Sequence, residues 1–310
     1  MNFKLTDGLP EKNIEGVDIF NSIEFFNLHK KQNSVYLSVF RDDQLIGVCH
    51  FTEIDPGVYR SPHRGTYGGF NFIKDIDLSS IYESVKLLID YFKERNVKEL
   101  IFVQSPFSHN IELCTSVFNA LLTNKFYISN QEFNQSLVVD NTPMVDKMMR
   151  NNKKRFKKCE REDFKFTQVF SEDEFEAVHK MNEASRKRKG IKISMTFEQI
   201  MTMYRIYPND MYFFNVTQNG VAAASSICIK INSNVLHIFY WGDADGFESY
   251  SPIAFLANGI YEFAAKNNFK MMDAGISTFE GIPNFGLITF KENLGFTSSL
   301  KLTYSYNYEQ

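Results

Sequence analysis

Two regions of this chain alternate between short apolar runs and helix-length amphipathic stretches in the same order. Val35–Phe40 and Leu45–Phe51 read as strands around the polar turn Arg41-Asp42-Asp43-Gln44, a hairpin signal. Leu78–Glu94 places Ile81, Val85, Leu88, Ile89 and Phe92 on one face, which predicts a helix. A short buried strand at Glu99–Val103, a helix at Ile111–Leu122 and a strand at Asn134–Val139 follow. The turn-rich segment Ser61–Phe70, SPHRGTYGGF, interrupts the first half.

In the second half, Met211–Val216 and Val221–Ile231 flank Gln218-Asn219-Gly220, whose Asn-Gly pair marks a hairpin. Val235–Trp241 continues as a third strand. There, alternation puts His237 and Phe239 on one face and Ile238 and Tyr240 on the other. Pro252–Ala265 reads as a helix, Lys270–Asp273 as a short strand, Phe285–Asn293 as a helix and Phe296–Tyr306 as a final strand. Helices at Asp173–Ser185 and Phe197–Ile206 precede this sheet. Hairpin, third strand, helix, strand, helix, strand is thus read twice, without a close sequence repeat. This predicts a mixed α/β fold built twice, with domains at 1–142 and 143–310 and a join near Asp140–Lys158.

A length of 310 residues suits two domains, and 31 Phe with 15 Tyr can fill two cores. Hydrophobic residues at 44% and charged residues at 23% place the chain among globular, soluble proteins. Cys49, Cys114, Cys159 and Cys228 lie far apart, without CxxC spacing, which fits buried thiols in a reducing compartment. The N-terminus lacks an apolar signal-peptide core and no run is long enough to span a membrane, so a cytoplasmic location is expected. The formal charge of −3 argues against a large nucleic-acid footprint. Two local basic clusters stand apart from it, with eight Lys or Arg among the 15 residues Lys147–Arg161, and Arg186-Lys187-Arg188-Lys189 with Lys192. Either they are solvated helix faces, or they form an electropositive wall for an anionic acceptor or donor. The histidines show no metal-ligand spacing, so no metal is expected, and no GxSxG or Cys-His signature suggests a covalent nucleophile.

The order of the second half, closing on Asn293-Leu294-Gly295-Phe296, resembles the GNAT acyltransferase fold. Ser251-Pro252 opening a helix, Asp273-Ala274-Gly275, and Phe290-Lys291 with Gly295 four residues on, resemble the Fem branch of that superfamily. That branch comprises tandem-GNAT aminoacyltransferases of cell-wall synthesis and their acetyltransferase relatives. Tyr67-Gly68-Gly69-Phe70 and the basic helix Asn151–Lys158 add to the resemblance, which spans nearly the whole chain. Two departures separate the chain from ordinary GNAT enzymes. Gly246-Phe247-Glu248-Ser249-Tyr250-Ser251 stands where an Arg/Gln-x-x-Gly-x-Gly/Ala pyrophosphate loop is usual, and Lys291 stands where a general-acid Tyr is often found. Fem-like proteins lack both features too, which places acetyl-CoA as donor in question.

What the resemblance implies is transfer of an acyl or aminoacyl group, from an acyl-CoA thioester or an aminoacyl-tRNA, to an amine of a small or nucleotide-linked acceptor, such as a cell-envelope precursor. The active cleft is expected in the C-terminal domain or between the domains. The competing reading is a non-catalytic binding module on the same scaffold, motivated by the missing phosphate loop.

Within that frame, Ser251 reads as an N-cap with Pro252 at the first helical position, either a seat for donor phosphate or a well-capped helix alone. Trp241, Gly242 and Tyr250 complete the expected donor seat, with Glu248 opposing an anion there. Lys291 reads as a cation aimed into the cleft to stabilise an oxyanion or phosphate, or as a solvent-facing lysine. Asp273, at a strand's carboxyl end, reads as base or orienter of the amine, or as the cap of the following turn. Arg64, Tyr67, Tyr240 and Arg186 are the candidate substrate contacts, the first two flanking glycines of a close turn or a substrate rim. His237, Tyr240 and Asp243 lie along the third strand and any of them could be a base, although a lone strand histidine such as His237 reads first as a hydrogen-bonded core residue.

Overall fold

The structure is a computed structural model that describes residues 1–10, 14–73, 76–247 and 249–308. Its elements in chain order are β1 (Phe3–Asp7), α1 (Ile23–His29), β2 (Ser34–Arg41), β3 (Gln44–Asp55), β4 (Val58–Ser61), β5 (Asn71–Phe72), α2 (Leu78–Lys93), β6 (Glu99–Val103), α3 (Ile111–Thr123) and β7 (Tyr127–Val138). They continue with α4 (Met144–Lys147), α5 (Arg150–Arg161), β8 (Phe164–Val169), α6 (Glu172–Arg188), α7 (Phe197–Ile206), β9 (Met211–Gln218), β10 (Val221–Lys230) and β11 (Val235–Asp243). Last come α8 (Pro252–Lys266), β12 (Met271–Ile276), β13 (Thr278–Phe279), β14 (Ile282–Pro283), α9 (Phe285–Asn293) and β15 (Thr297–Asn307).

The chain forms two compact units. Unit 1 holds Met1–Asn134, Thr278–Pro283 and Ser299–Gln310; unit 2 holds Gln135–Ser277 and Asn284–Ser298. The units are therefore not the consecutive stretches 1–142 and 143–310, because the last strand's end belongs to unit 1.

In unit 1 the β2–β3 hairpin turns at Asp42 and Asp43, both at positive φ, a conformation that short polar residues tolerate. Strand β4 pairs antiparallel with β3 and parallel with β6, and β6 pairs antiparallel with the end of β15. Ile81, Val85, Leu88 and Phe92 of α2 are wholly buried against Leu37, Phe51, Leu100 and Phe102, as their spacing predicts. Strand β4 supplies the third strand of this half. It carries only four residues, with Arg60 among them, too little pattern to read from sequence.

In unit 2 the antiparallel series β8–β9–β10–β11 is extended by the parallel strand β12. Successive side chains Phe213 and Phe214 of β9 point to opposite faces. Phe214 meets Phe263 of α8, whereas Phe213 stacks on Phe175 of α6. The α8 face carries the main core, with Leu236, Ile238, Leu256, Ile260, Met272 and Phe296. All four cysteines are free and buried. Among the described residues, no helix is long and apolar enough to cross a membrane, and no group of three or more His, Cys, Asp or Glu is placed to hold a metal ion.

Candidate active site

Strands β11 and β12 run side by side only from Val235↔Met271 to His237↔Asp273. Beyond that register β11 continues to Asp243 and β12 to Ile276 without pairing to each other, so the two strands part at their carboxyl ends. Paired positions of parallel strands share a face, which brings Nδ1 of His237 to 3.1 Å from Oδ2 of Asp273. Both side chains are buried, 8% and 3% exposed. Oδ1 of Asp273 accepts the Gly275 N–H at 2.9 Å, so this carboxylate caps the following turn and faces the histidine at once. Gly275 sits at φ +72, and a Cβ there would lie 3.3 Å from Cε1 of His237.

Lys291 completes the cluster from α9. That helix starts at Asn284, whose side chain accepts the Leu287 N–H. It ends as Gly295 turns at φ +97 and Phe296 N–H donates to the Lys291 carbonyl. A Cβ on Gly295 would come within 2.8 Å of the Lys147 carbonyl oxygen, so packing and backbone both require glycine. The Lys291 side chain is only 1% exposed, not a solvent-facing lysine. Its Nζ donates to the carbonyls of Gly275 at 2.9 Å and Ile276 at 3.1 Å. Burial lowers its pKa to about 7, with the charge of Asp273 acting the other way.

A β-bulge corrects the face assignment expected for β11. Ile227 of β10 pairs with Tyr240 and Cys228 with Ile238, which leaves Phe239 as the extra residue. Alternation restarts after it. Tyr240 consequently points to the α6 face, opposite Leu236 and Ile238, and Trp241 turns to the α8 face. The Arg186 guanidinium lies over the Tyr240 ring at 4.8 Å, and the Tyr240 hydroxyl meets Ser194 and the Met195 N–H. Burial lowers the Arg186 pKa, and its Nε is sealed from solvent without a hydrogen-bond partner among the described residues. Trp241 packs edge-on against Phe290 and Phe296. Gly242 is there for packing, since a Cβ would stand 2.7 Å from Cβ of Ser185 on α6.

At the start of α8, Pro252 occupies the first turn as expected. Ser251 occupies the N-cap position, as expected, but its side chain does not cap. The residue sits in the left-handed region at φ 58, ψ 61, where its hydroxyl makes no capping hydrogen bond. The Tyr250 ring packs on Phe164 and carries the Lys158 ammonium 4.0 Å above its centre. Glu248 lies outside the described residues.

Arg64 and Tyr67 belong to unit 1. Arg64 is exposed, whereas Tyr67 is buried edge-on to Phe20 and His109. The glycine loop folds down as a close turn. Gly68 N–H donates to the Val103 carbonyl, and a Cβ on Gly69 would meet the Phe102 ring at 2.2 Å.

Of the residues singled out in the sequence, the structure brings Lys291 to the turn that Asp273 caps and sets Arg186 over Tyr240. It adds His237, which no spacing in the sequence could attach to Asp273, because the link is a parallel strand register. Helix α5 buries Asn152, Phe156 and Cys159 and leaves Arg150, Lys154, Arg155, Lys157 and Arg161 exposed. Those five cations have no ion pair among the described residues. The second cluster is partly neutralised, as Arg188 pairs with Asp243 and Asp245.

By sequence, no family profile and no curated protein matches the chain. By structure it is similar to FemX, with a TM-score of 0.69 at 12% identity over 91% of this chain and 89% of that one. It is also similar to L-PGS from Bacillus licheniformis, with a TM-score of 0.59 at 11% identity over 95% and 93% of the two chains. A conserved protein of unknown function from Bacteroides thetaiotaomicron gives 0.52 at 14% identity, over 89% and 84%. At such identities the likeness speaks of the fold: this chain shares the mixed α/β architecture of FemX and L-PGS.

Proposed function

We propose that the chain is an N-acyltransferase whose chemistry takes place in unit 2, where β11 and β12 part. The observation that carries this reading is the buried cluster of Lys291, Asp273 and His237 at that opening. Attack of an amine on an acyl carbonyl places negative charge on the carbonyl oxygen, and donors fixed beforehand stabilise it. Two of the three Lys291 ammonium hydrogens go to Gly275 and Ile276, which leaves the third for that oxygen. A lysine poised near pH 7 is only partly charged at rest, and an oxyanion beside it draws it fully to the ammonium. The interaction is therefore stronger in the transition state than in the ground state, which is what accelerates a reaction.

The start of α8 offers N–H groups to a donor phosphate, with Ser251 and Tyr250 beside them and Trp241 on the neighbouring strand. Arg186 on Tyr240 offers a half-buried cation to an anionic acceptor, such as a nucleotide-linked precursor of the cell envelope. Arg64, in unit 1, is an exposed cation that suits an anionic ligand of that unit; the Tyr67 ring is taken up by the core. Between acyl-CoA and aminoacyl-tRNA, the exposed cations of α5 favour the polyanionic tRNA, through its acceptor stem. Four buried free thiols support a cytoplasmic location.

Purified protein should be offered acetyl-CoA, longer acyl-CoAs and aminoacyl-tRNAs, with amino sugars, peptides and nucleotide-linked peptides as acceptors. Amide formation with one donor class is the expected result. If no donor binds by calorimetry and no acyl group moves, the transferase reading falls and the binding-module alternative takes its place.

A further inference from the structure

We propose that His237 is the catalytic base of the transfer, held by Asp273 through Nδ1 and taking the amine's proton on Nε2. This inference rests on the transferase reading above.

Four observations converge. An ionised carboxylate can only accept a hydrogen bond, so the 3.1 Å contact with Oδ2 of Asp273 puts the imidazole hydrogen on Nδ1. Nε2 then presents a lone pair, and among the described residues it has no hydrogen-bond partner. Nor is it one of the polar atoms sealed from solvent without a partner. Both Asp273 oxygens are engaged, Oδ2 by His237 and Oδ1 by the Gly275 N–H. That engagement suits the carboxylate to orienting a base rather than acting as one. Finally, the ring edge lies over Gly275, the residue whose carbonyl accepts from Lys291. Base and cation therefore converge on residue 275, at the mouth of the parted strands.

The step balances as follows. The neutral amine nitrogen attacks the acyl carbon, the C–N bond forms, and the carbonyl π pair moves to oxygen beside Lys291. The proton leaving nitrogen goes to Nε2, giving an imidazolium stabilised by Asp273. On collapse, the C–S bond of a thioester or the C–O bond of an aminoacyl ester breaks. The Nε2 proton passes to that leaving group, which restores neutral His237 and releases a thiol or alcohol.

Nitrogen-15 NMR of histidine-labelled full-length protein, assigned with His237→Gln, should show Nδ1 protonated and Nε2 bare at neutral pH. Asp273→Asn should shift His237 towards the Nε2-protonated tautomer, since an amide side chain can donate to Nδ1. A wild-type Nε2–H tautomer would overturn the proposal without any assay of activity. With whichever donor proves active, His237→Gln should lower kcat by roughly 10²-fold or more, while KM for the donor changes by less than about threefold. Asp273→Asn, which keeps side-chain shape, should also lower kcat. A folded His237→Gln variant with wild-type kcat would overturn the proposal while leaving the transferase reading intact. Absence of transfer by the wild type would count against the transferase reading instead, with the tautomer still deciding how the pair is set.

Discussion

Lys291 is the residue where sequence and environment conflict most sharply, a long cation enclosed at 1% exposure. Its pKa, lowered from 10.5 to about 7, has a thermodynamic consequence with a definite sign. Between these values the unfolded chain holds a proton that the folded chain has released, so this group makes stability rise with pH across that window. Below pH 7 both states are charged and the folded state bears the full cost of burying the ammonium. Lys291→Met removes that titration. The stability of the variant relative to wild type should accordingly be higher at pH 6 than at pH 9, by about 3 kcal/mol, measured as urea unfolding free energies. A difference that does not change with pH would mean that Lys291 is not buried in solution. The sequence marked this lysine, through Phe290, Leu294 and Gly295 around it, and marked Asp273 through its Asp-x-Gly strand end. It could not show that the lysine reaches the turn after Asp273, since that depends on the carbonyls of Gly275 and Ile276 being turned towards α9. The Ser251 hydroxyl was misread for a related reason: Ser-Pro specifies where a helix starts, not the φ of the serine.

Elements show the same division. Helices α7 and α9 have the bounds that their periodicity predicts, because capping residues and a stop glycine are local signals. The bulge at Phe239 is not local. It depends on how β10 pairs with β11, and it moves Tyr240 and Trp241 to faces opposite those that simple alternation assigns. Strand β7 begins at Tyr127 rather than Asn134 because its first residues are largely exposed and carry little apolar pattern. Gly275, at the parting of β11 and β12, gives the element-scale test. Gly275→Ala places a side chain at φ +72 and presses on the His237 ring. Gly220→Ala places one at φ +78 with nothing within 4 Å. Both should lose about 1–2 kcal/mol from left-handed backbone strain. Only Gly275→Ala should also slow transfer, and equal turnover in the two would remove His237 and its surroundings from the reaction.

At the scale of the molecule, each unit has its own core, and the end of the chain serves unit 1. Leu302 and Tyr304 are buried among the residues of that core, and Lys301 makes a largely buried ion pair with Glu132 at 2.7 Å. Ending the chain at Ser298 would remove both, together with the register Thr303↔Val103 to Asn307↔Glu99, and would leave Glu132 without its cation. Hydrogen exchange should then show β6 losing protection while β9 and β10 of unit 2 keep theirs. Uniform protection across both units would contradict this division. The doubled element order was legible because each half repeats hairpin, strand and helix signals. The crossing of the C-terminal segment into unit 1 was not, since β15 reads as one uninterrupted alternating strand.

The central claim is that unit 2 transfers acyl groups with Lys291 at the reacting carbonyl. Its most direct test is single-turnover transfer from the active donor by wild type, Lys291→Met and Lys266→Met, the last an exposed lysine at the end of α8. The account predicts wild-type rates for Lys266→Met. For Lys291→Met it predicts a rate lowered by roughly 10²-fold or more, with donor affinity weakened much less. Equal rates in all three proteins would contradict it.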